Sequence, residues 1–157
     1  MKVVLLLLFA SVTFGQSIQE KVGKFEDAKL FSVTYDKFKK TTEVEATIQI
    51  KGKGGTRDMD VFVSFAGDPL EHDFYLFSFL ADRRSFFNQP TLRFLVDDVP
   101  YKFENDRISE VASFIIDKNF WKAVASAKVV EIQFEKYEGV LDAKNLKKLQ
   151  NLASLIP

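Results

Sequence analysis

The chain of 157 residues has no cysteine. That absence removes disulfides, thiolate metal sites, cysteine nucleophiles and lipidated cysteine anchors together. Histidine occurs once, at His72. A Ser-His-Asp arrangement would have to run through that residue, and no Gly-x-Ser-x-Gly elbow is present. Net charge is also missing, since 22 Lys and Arg balance 22 Asp and Glu. Nucleic-acid affinity rests on clustered, uncompensated cations, so no nucleic-acid partner is expected. There is no linker, low-complexity tract or internal repeat.

Phenylalanine is what the chain has in abundance, at 17 residues, within a composition that is 46% apolar. A disordered chain lacks such material. A single domain of this size buries roughly 68% of its unfolded surface.

The first fifteen residues read as an address. Met1-Lys2 carries one positive charge, Val3 to Ala10 is unbroken apolar sequence extended by Val12 and Phe14, and small Gly15 precedes polar Gln16-Ser17. That is the layout of a secretory signal peptide. Crossing a bilayer takes ~20 apolar residues, more than this run supplies. Cleavage after Gly15 leaves one exported domain, residues 16–157, with a net charge of −1 once Lys2 is gone. No later stretch is apolar enough to span a bilayer, so the mature chain is expected to be secreted or periplasmic and to rely on packing alone.

Along that domain, Ser17 and Glu20 have capping-box spacing ahead of Ile18, Val22 and Phe25 on one helical face. From Leu30 the period becomes two. Val44, Ala46, Ile48 and Ile50 alternate with Glu43, Glu45, Thr47 and Gln49, the pattern of a strand with one wet face. Gly52-Lys53-Gly54-Gly55 reads as a hairpin loop, Met59 to Phe65 as the return strand, and Gly67-Asp68-Pro69 as its end. Phe74–Leu80 is apolar on both faces and belongs in a sheet centre or under a helix. Thr91–Val96 and Val99–Phe103 flank a tight turn at Asp97-Asp98, and Val111–Ile116 is a further strand. Asp117 caps a helix with Phe120, Trp121, Val124 and Ala125 on one stripe. Val129–Phe134 returns to strand and Gly139 turns the chain. Asp142 then caps a last helix that buries Leu146, Leu149, Ala153 and Ile156 and leaves Lys144, Lys147 and Lys148 in water.

The pattern predicts an α+β domain of mainly antiparallel sheet. About eight strands form a curved sheet or sandwich, with one helix before the last strand and one at the C-terminus. The strand-helix-strand unit near the end either makes one parallel pair or reverses direction. An up-and-down β-barrel with a C-terminal helix is the rival, and it matters because a barrel can enclose a ligand.

Two segments attract attention as sites. Asp68, Glu71, His72 and Asp73 cluster enough oxygen and nitrogen for a metal ion, although their spacing matches neither the calcium loop nor the zinc helix, and a solvated connection explains them with less. Arg83, Arg84, Phe86 and Phe87 combine guanidinium groups with aromatics, the residue types of binding hot spots. The plain reading there is phenylalanines tucked under the sheet. Gly52 to Arg57 resembles a phosphate cradle only superficially, because it joins two strands rather than opening a helix. Phe120-Trp121 fits a buried stripe better than a stacking platform.

These residues imply no cofactor and favour an exported, non-enzymatic interaction or accessory domain with an unidentified protein partner. A carrier of an apolar small molecule is the second reading, motivated by Phe62, Phe65, Phe77, Phe79, Phe94 and Phe103. A carboxylate-dependent hydrolase around His72 is the third. Mass spectrometry of the protein recovered from outside its producing cell should give an N-terminus at Gln16, or within a residue or two of it, because Thr13 is a permissive rather than ideal residue before the cut. An intact Met1 would remove the export reading.

Overall fold

The computed structural model describes residues 18–66, 74–80 and 87–156. Residues 18–23 are helical (α1), with Ile18 and Val22 buried, and Phe25 packs edge-on against Phe31 at 5.2 Å. The expected cap, Ser17, lies outside the described residues. The strands β1 (Ser32–Asp36), β2 (Thr41–Gly52), β3 (Gly55–Ala66) and β4 (Phe74–Leu80) follow as a meander. Next come β5 (Phe87–Asn88), the hairpin of β6 (Thr91–Val96) and β7 (Val99–Glu104), β8 (Ile108–Ser109) and β9 (Val111–Ile115). Helix α2 (Lys118–Ala125), the hairpin of β10 (Val130–Phe134) and β11 (Tyr137–Val140), and helix α3 (Ala143–Ala153) complete the domain.

Two larger sheets result, one ordered β1-β2-β3-β4-β9 and the other β11-β10-β6-β7, with β5 and β8 forming a two-residue pair. Every described strand pairing is antiparallel. The strand-helix-strand unit forms no parallel pair. β9 pairs with β4 and β10 with β6, so α2 carries the chain from one sheet to the other. Among the described residues the arrangement is a sandwich and not a closed barrel. Its sheets approach each other where Asn105 Nδ2 donates to the Ser113 carbonyl at 2.8 Å and where Glu138 N donates to the Lys53 carbonyl at 2.9 Å.

Alternation along the strands decides the interior. Val44, Ala46, Ile48 and Ile50 of β2 and Met59, Val61, Val63 and Phe65 of β3 are buried, as are Leu92, Phe94 and Val96 of β6 and Val130, Ile132 and Phe134 of β10. Phe114 on β9 meets Phe134 on β10 edge-on, with centroids 6.0 Å apart, which joins the two sheets directly. Helix α2 contributes Phe120, whose ring lies 4.7 Å from Phe94, 5.4 Å from Tyr101 and 5.7 Å from Phe103. Fully burying one such side chain is worth about 1.5–3 kcal/mol, so these rings carry much of the stability of a cysteine-free domain. The stripe on α2 differs from expectation at one position, since Ala125 is exposed and Ala127 is buried beyond the helix end.

Eleven strands are described where about eight are expected. The additions are β5, β8 and β11. Gly139 does not turn the chain but lies within β11 opposite Ile132, and the β10–β11 turn falls at Glu135 and Lys136, with Glu135 at φ 55°. Glycine is needed at 139 because a Cβ there would run into the Lys51 carbonyl of β2.

β1 covers the edge of β2 only as far as Glu45. Beyond that point α3 takes over: Lys148 Nζ donates to the Thr47 carbonyl at 2.7 Å, and Gln49 N donates to Asn145 Oδ1 at 3.2 Å. Lys148 is therefore half-buried rather than fully wet, and Asn145 is a buried polar residue with its acceptor in use. Asp142 holds Asn145 in place by accepting from its backbone N at 2.8 Å and from its Nδ2 at 2.9 Å.

The Asn145 N–H, with help from Lys51, keeps the Asp142 carboxyl below the ordinary aspartate range. A carboxylate with a depressed folded-state pKa stabilises the fold above its unfolded pKa and loses that contribution as pH falls through the folded value. Asp142→Ala should therefore cost about 1 kcal/mol near neutral pH, the usual effect of losing such a cap, which is roughly a 3 °C lower Tm. The difference should shrink below about pH 4. Thermal melts across pH would check this, and a gap between variant and parent that stays constant into acid would contradict it.

Candidate functional site

The second sheet packs one face on the core and turns the other outward. Register places two rows of side chains on that outer face. Lys102, Arg93, Gln133 and Glu138 stand abreast across β7, β6, β10 and β11, and Pro100, Leu95, Glu131 and Val140 form the row beside them. Between these rows lies a groove of about 580 Å³. A smaller depression of about 350 Å³ shares Leu95 and Glu131 with it and reaches Asp98 and Lys128. Another of about 280 Å³ shares Arg93 and Gln133 and reaches Gln89 and Glu135. Together they make a trough along β6 and β10.

The two rows differ in character: one is wholly polar, and the other is apolar at Pro100, Leu95 and Val140 and interrupted by Glu131. Arg93 Nη1 donates to Gln133 Oε1 at 3.0 Å, which ties the guanidinium across two strands; a guanidinium carries five N–H donors in all. Lys102 pairs with Glu104 and holds that carboxyl below the usual glutamate range. Glu138 makes a 3.9 Å pair with Lys53, so the charges at both flanks of the trough have partners. Leu95 keeps 38% of its surface and Val140 55%, both on this face.

One end of the trough is built by the β6–β7 turn. Asp97 and Asp98 both take positive φ, 46° and 69°, the signature of the two-residue turn that suits a twisted hairpin. Their roles differ. Asp97 Oδ1 accepts from Lys128 N at 2.9 Å and Val129 N at 2.8 Å, tying the start of β10 to the turn.

Of the residues singled out in the sequence, Asp68, Glu71, His72 and Asp73 lie outside the described residues, as do Arg83, Arg84 and Phe86. Phe87 begins β5, is half-buried, and packs edge-on against Phe134 at 5.3 Å. Arg57, from the superficial phosphate cradle, sits with its guanidinium carbon 6.0 Å from the Phe87 ring and 5.6 Å from that of Tyr137. It is a clamp between β3, β5 and β11. Phe120 and Trp121 are fully buried, which leaves no stacking platform there. Sequence reading identified the β10 strand but had no means of placing Arg93 and Leu95 beside Glu131 and Gln133.

On the outer face of the first sheet, Glu45 of β2 stands between Glu43 on its own strand and Asp60 of β3, diagonally across the ladder. Burial, together with Asp60 and Glu43, pushes the Glu45 carboxyl up. Thr47 Oγ1 donates to Asp60 Oδ1 at 2.8 Å, so part of that charge is already engaged. Among the described residues no group of three or more His, Asp or Glu is placed to hold a metal ion. None of the helices described there is long and apolar enough to cross a membrane.

The turn makes a sharp comparison. Asp98→Gly removes a side chain from a left-handed position and should leave Tm unchanged or raise it, a gain of at most about 1 kcal/mol. Asp97→Gly relieves the same backbone conformation but strands the Lys128 and Val129 N–H groups, and should lower stability by about 1–3 kcal/mol. Chemical denaturation of the two variants measures both; equal effects would mean that the Asp97 carboxylate does no more than occupy a turn.

Comparison of the chain with family models, with curated proteins and with solved structures finds no match.

Proposed function

We propose that the protein is an exported, non-enzymatic interaction module that holds its partner along the trough on the outer face of the β11-β10-β6-β7 sheet. The observation that carries this reading is the cross-strand pattern itself. An apolar strip at Leu95 and Pro100 adjoins a fixed guanidinium at Arg93, on strands whose opposite face is locked into the core. Such a surface suits an extended segment that lays an apolar side chain over Leu95 and sets a carboxylate against Arg93, with position determined by the rigid sheet beneath. Export is supported by the N-terminal charge and hydropathy pattern.

Of the phenylalanines that motivate a carrier, those with described side chains fall on two faces. Phe65 and Phe94 are buried in the core, whereas Phe62 stands on the opposite face of β3 from Phe65, beside Glu45. That division favours the module over the carrier.

Selection from a displayed random-peptide library tests the proposal. The parent protein should enrich peptides that place an acidic residue near an apolar one. A double variant, Arg93→Glu with Leu95→Asp, should weaken binding of those peptides by about tenfold or more, as loss of a central anchor does. Both side chains face solvent, so the melt of the variant should stay within about 1 kcal/mol of the parent. Enrichment that survives the double substitution would remove the trough from the reading.

A further inference from the structure

The tip of the β1–β2 hairpin has a composition unlike any other described turn. Residues 37–40 read Lys-Phe-Lys-Lys between paired Asp36 and Thr41. Phe38 is 88% exposed, the most exposed large apolar side chain among the described residues, and Lys37, Lys39 and Lys40 are all exposed around it. A ring at a protruding tip, surrounded by ammonium groups, contributes nothing to the core.

The turn is held firmly. Asp36 Oδ1 accepts from Phe38 N at 2.9 Å and from Lys39 N at 3.1 Å, so the carboxylate at the base of the turn is bonded to the backbone, with the Lys39 charge close enough to act on it, and three lysines face this one acid. Lys37 Nζ lies 5.1 Å from the Phe38 ring centroid. Lys40 takes φ 54°, a left-handed conformation that glycine would adopt with less strain, yet the position carries a cation. Tyr35, at the base of the hairpin, is 46% exposed and adds a second ring with one polar end. The next carboxylate on the hairpin is Glu43, two residues beyond Thr41.

We infer that this tip is an interfacial anchor that seats on an anionic phospholipid surface, with Phe38 entering the headgroup boundary and the three lysines contacting lipid phosphates. A protein partner would need a pocket shaped for a single projecting ring. A lipid surface deforms around it, and its negative potential attracts the cations that flank it. The near-neutral chain supplies no general attraction to such a surface, so the local charge also sets the orientation of the domain on it. This inference is independent of the trough, which belongs to the other sheet.

Phe38→Trp provides the probe, because the native Trp121 is fully buried and gives a constant background. With vesicles of phosphatidylcholine mixed with phosphatidylglycerol at low salt, the emission of the variant should shift to shorter wavelength. Phosphatidylcholine alone should give no shift, and about 1 M salt, where the screening length falls to about 3 Å, should reverse it. In vesicle co-sedimentation of the otherwise native chain, replacing Lys37, Lys39 or Lys40 by Ala should each weaken binding about fivefold. Phe38→Ala should weaken it further, and Lys144→Ala on α3 should leave it unchanged. Absence of a shift on anionic vesicles would overturn the proposal, as would equal binding to neutral ones. Retention on a soluble sulfated polysaccharide without vesicle binding would overturn it too, assigning the tip to polyanion contact.

Discussion

A twelve-residue strand cannot leave the outer half of its edge unpaired inside a folded protein, because each buried N–H and C=O must find a partner. β2 meets this requirement with three different elements in succession. β1 covers its first residues, α3 supplies the Asn145 amide and the Lys148 ammonium to its middle, and β11 closes on its last residues. Each cover fixes something beyond the bond it makes. The helix is set down along the first sheet, and the second sheet is brought to the first at the β2–β3 hairpin. The absence of side chains at Gly139 and Gly52 follows from the same constraint, since backbone meets backbone there.

Within that frame, aromatic rings do the work that disulfides do in many small exported domains. Phe114 and Phe134 join the sheets, and Phe134 also carries Phe87 and with it the short β5–β8 pair. Phe120 draws β6, β7 and α2 together. Because the inward residues of β6 and β10 are committed to this packing, the outward ones on the same strands are held in fixed register. The trough is thus a by-product of core packing, and its rigidity comes from side chains on the opposite face of the sheet.

Much of this was legible in the chain. Strict alternation in β2 and β10, the turn residues between β6 and β7, and the capping aspartates at 117 and 142 all identify their elements, because each depends on local periodicity or on a side chain bonding its own neighbours. β4 was also readable as a central strand, and it pairs on both sides. What escaped depends on distant partners. β5 and β8 are too short to show a period. Gly139 resembles a turn residue until the Lys51 carbonyl is placed against it. The trough needs the β6–β10 pairing, which joins residues such as Arg93 and Gln133 that are 40 apart in sequence. The hairpin tip at Phe38 carried a readable signal, three lysines around an aromatic between two alternating strands, but only its exposure separates it from a ring folded inward.

The cover over the middle of β2 comes from far down the chain. Gln49 waits for Asn145, 96 residues later, and Thr47 for Lys148, 101 residues later. For a ribosome adding about 5–20 residues each second, this is a delay on the order of ten seconds. Throughout it the nascent strand offers open amide and carbonyl groups to any neighbouring chain. The order of synthesis thus leaves the middle of β2 without its cover until α3 has been made.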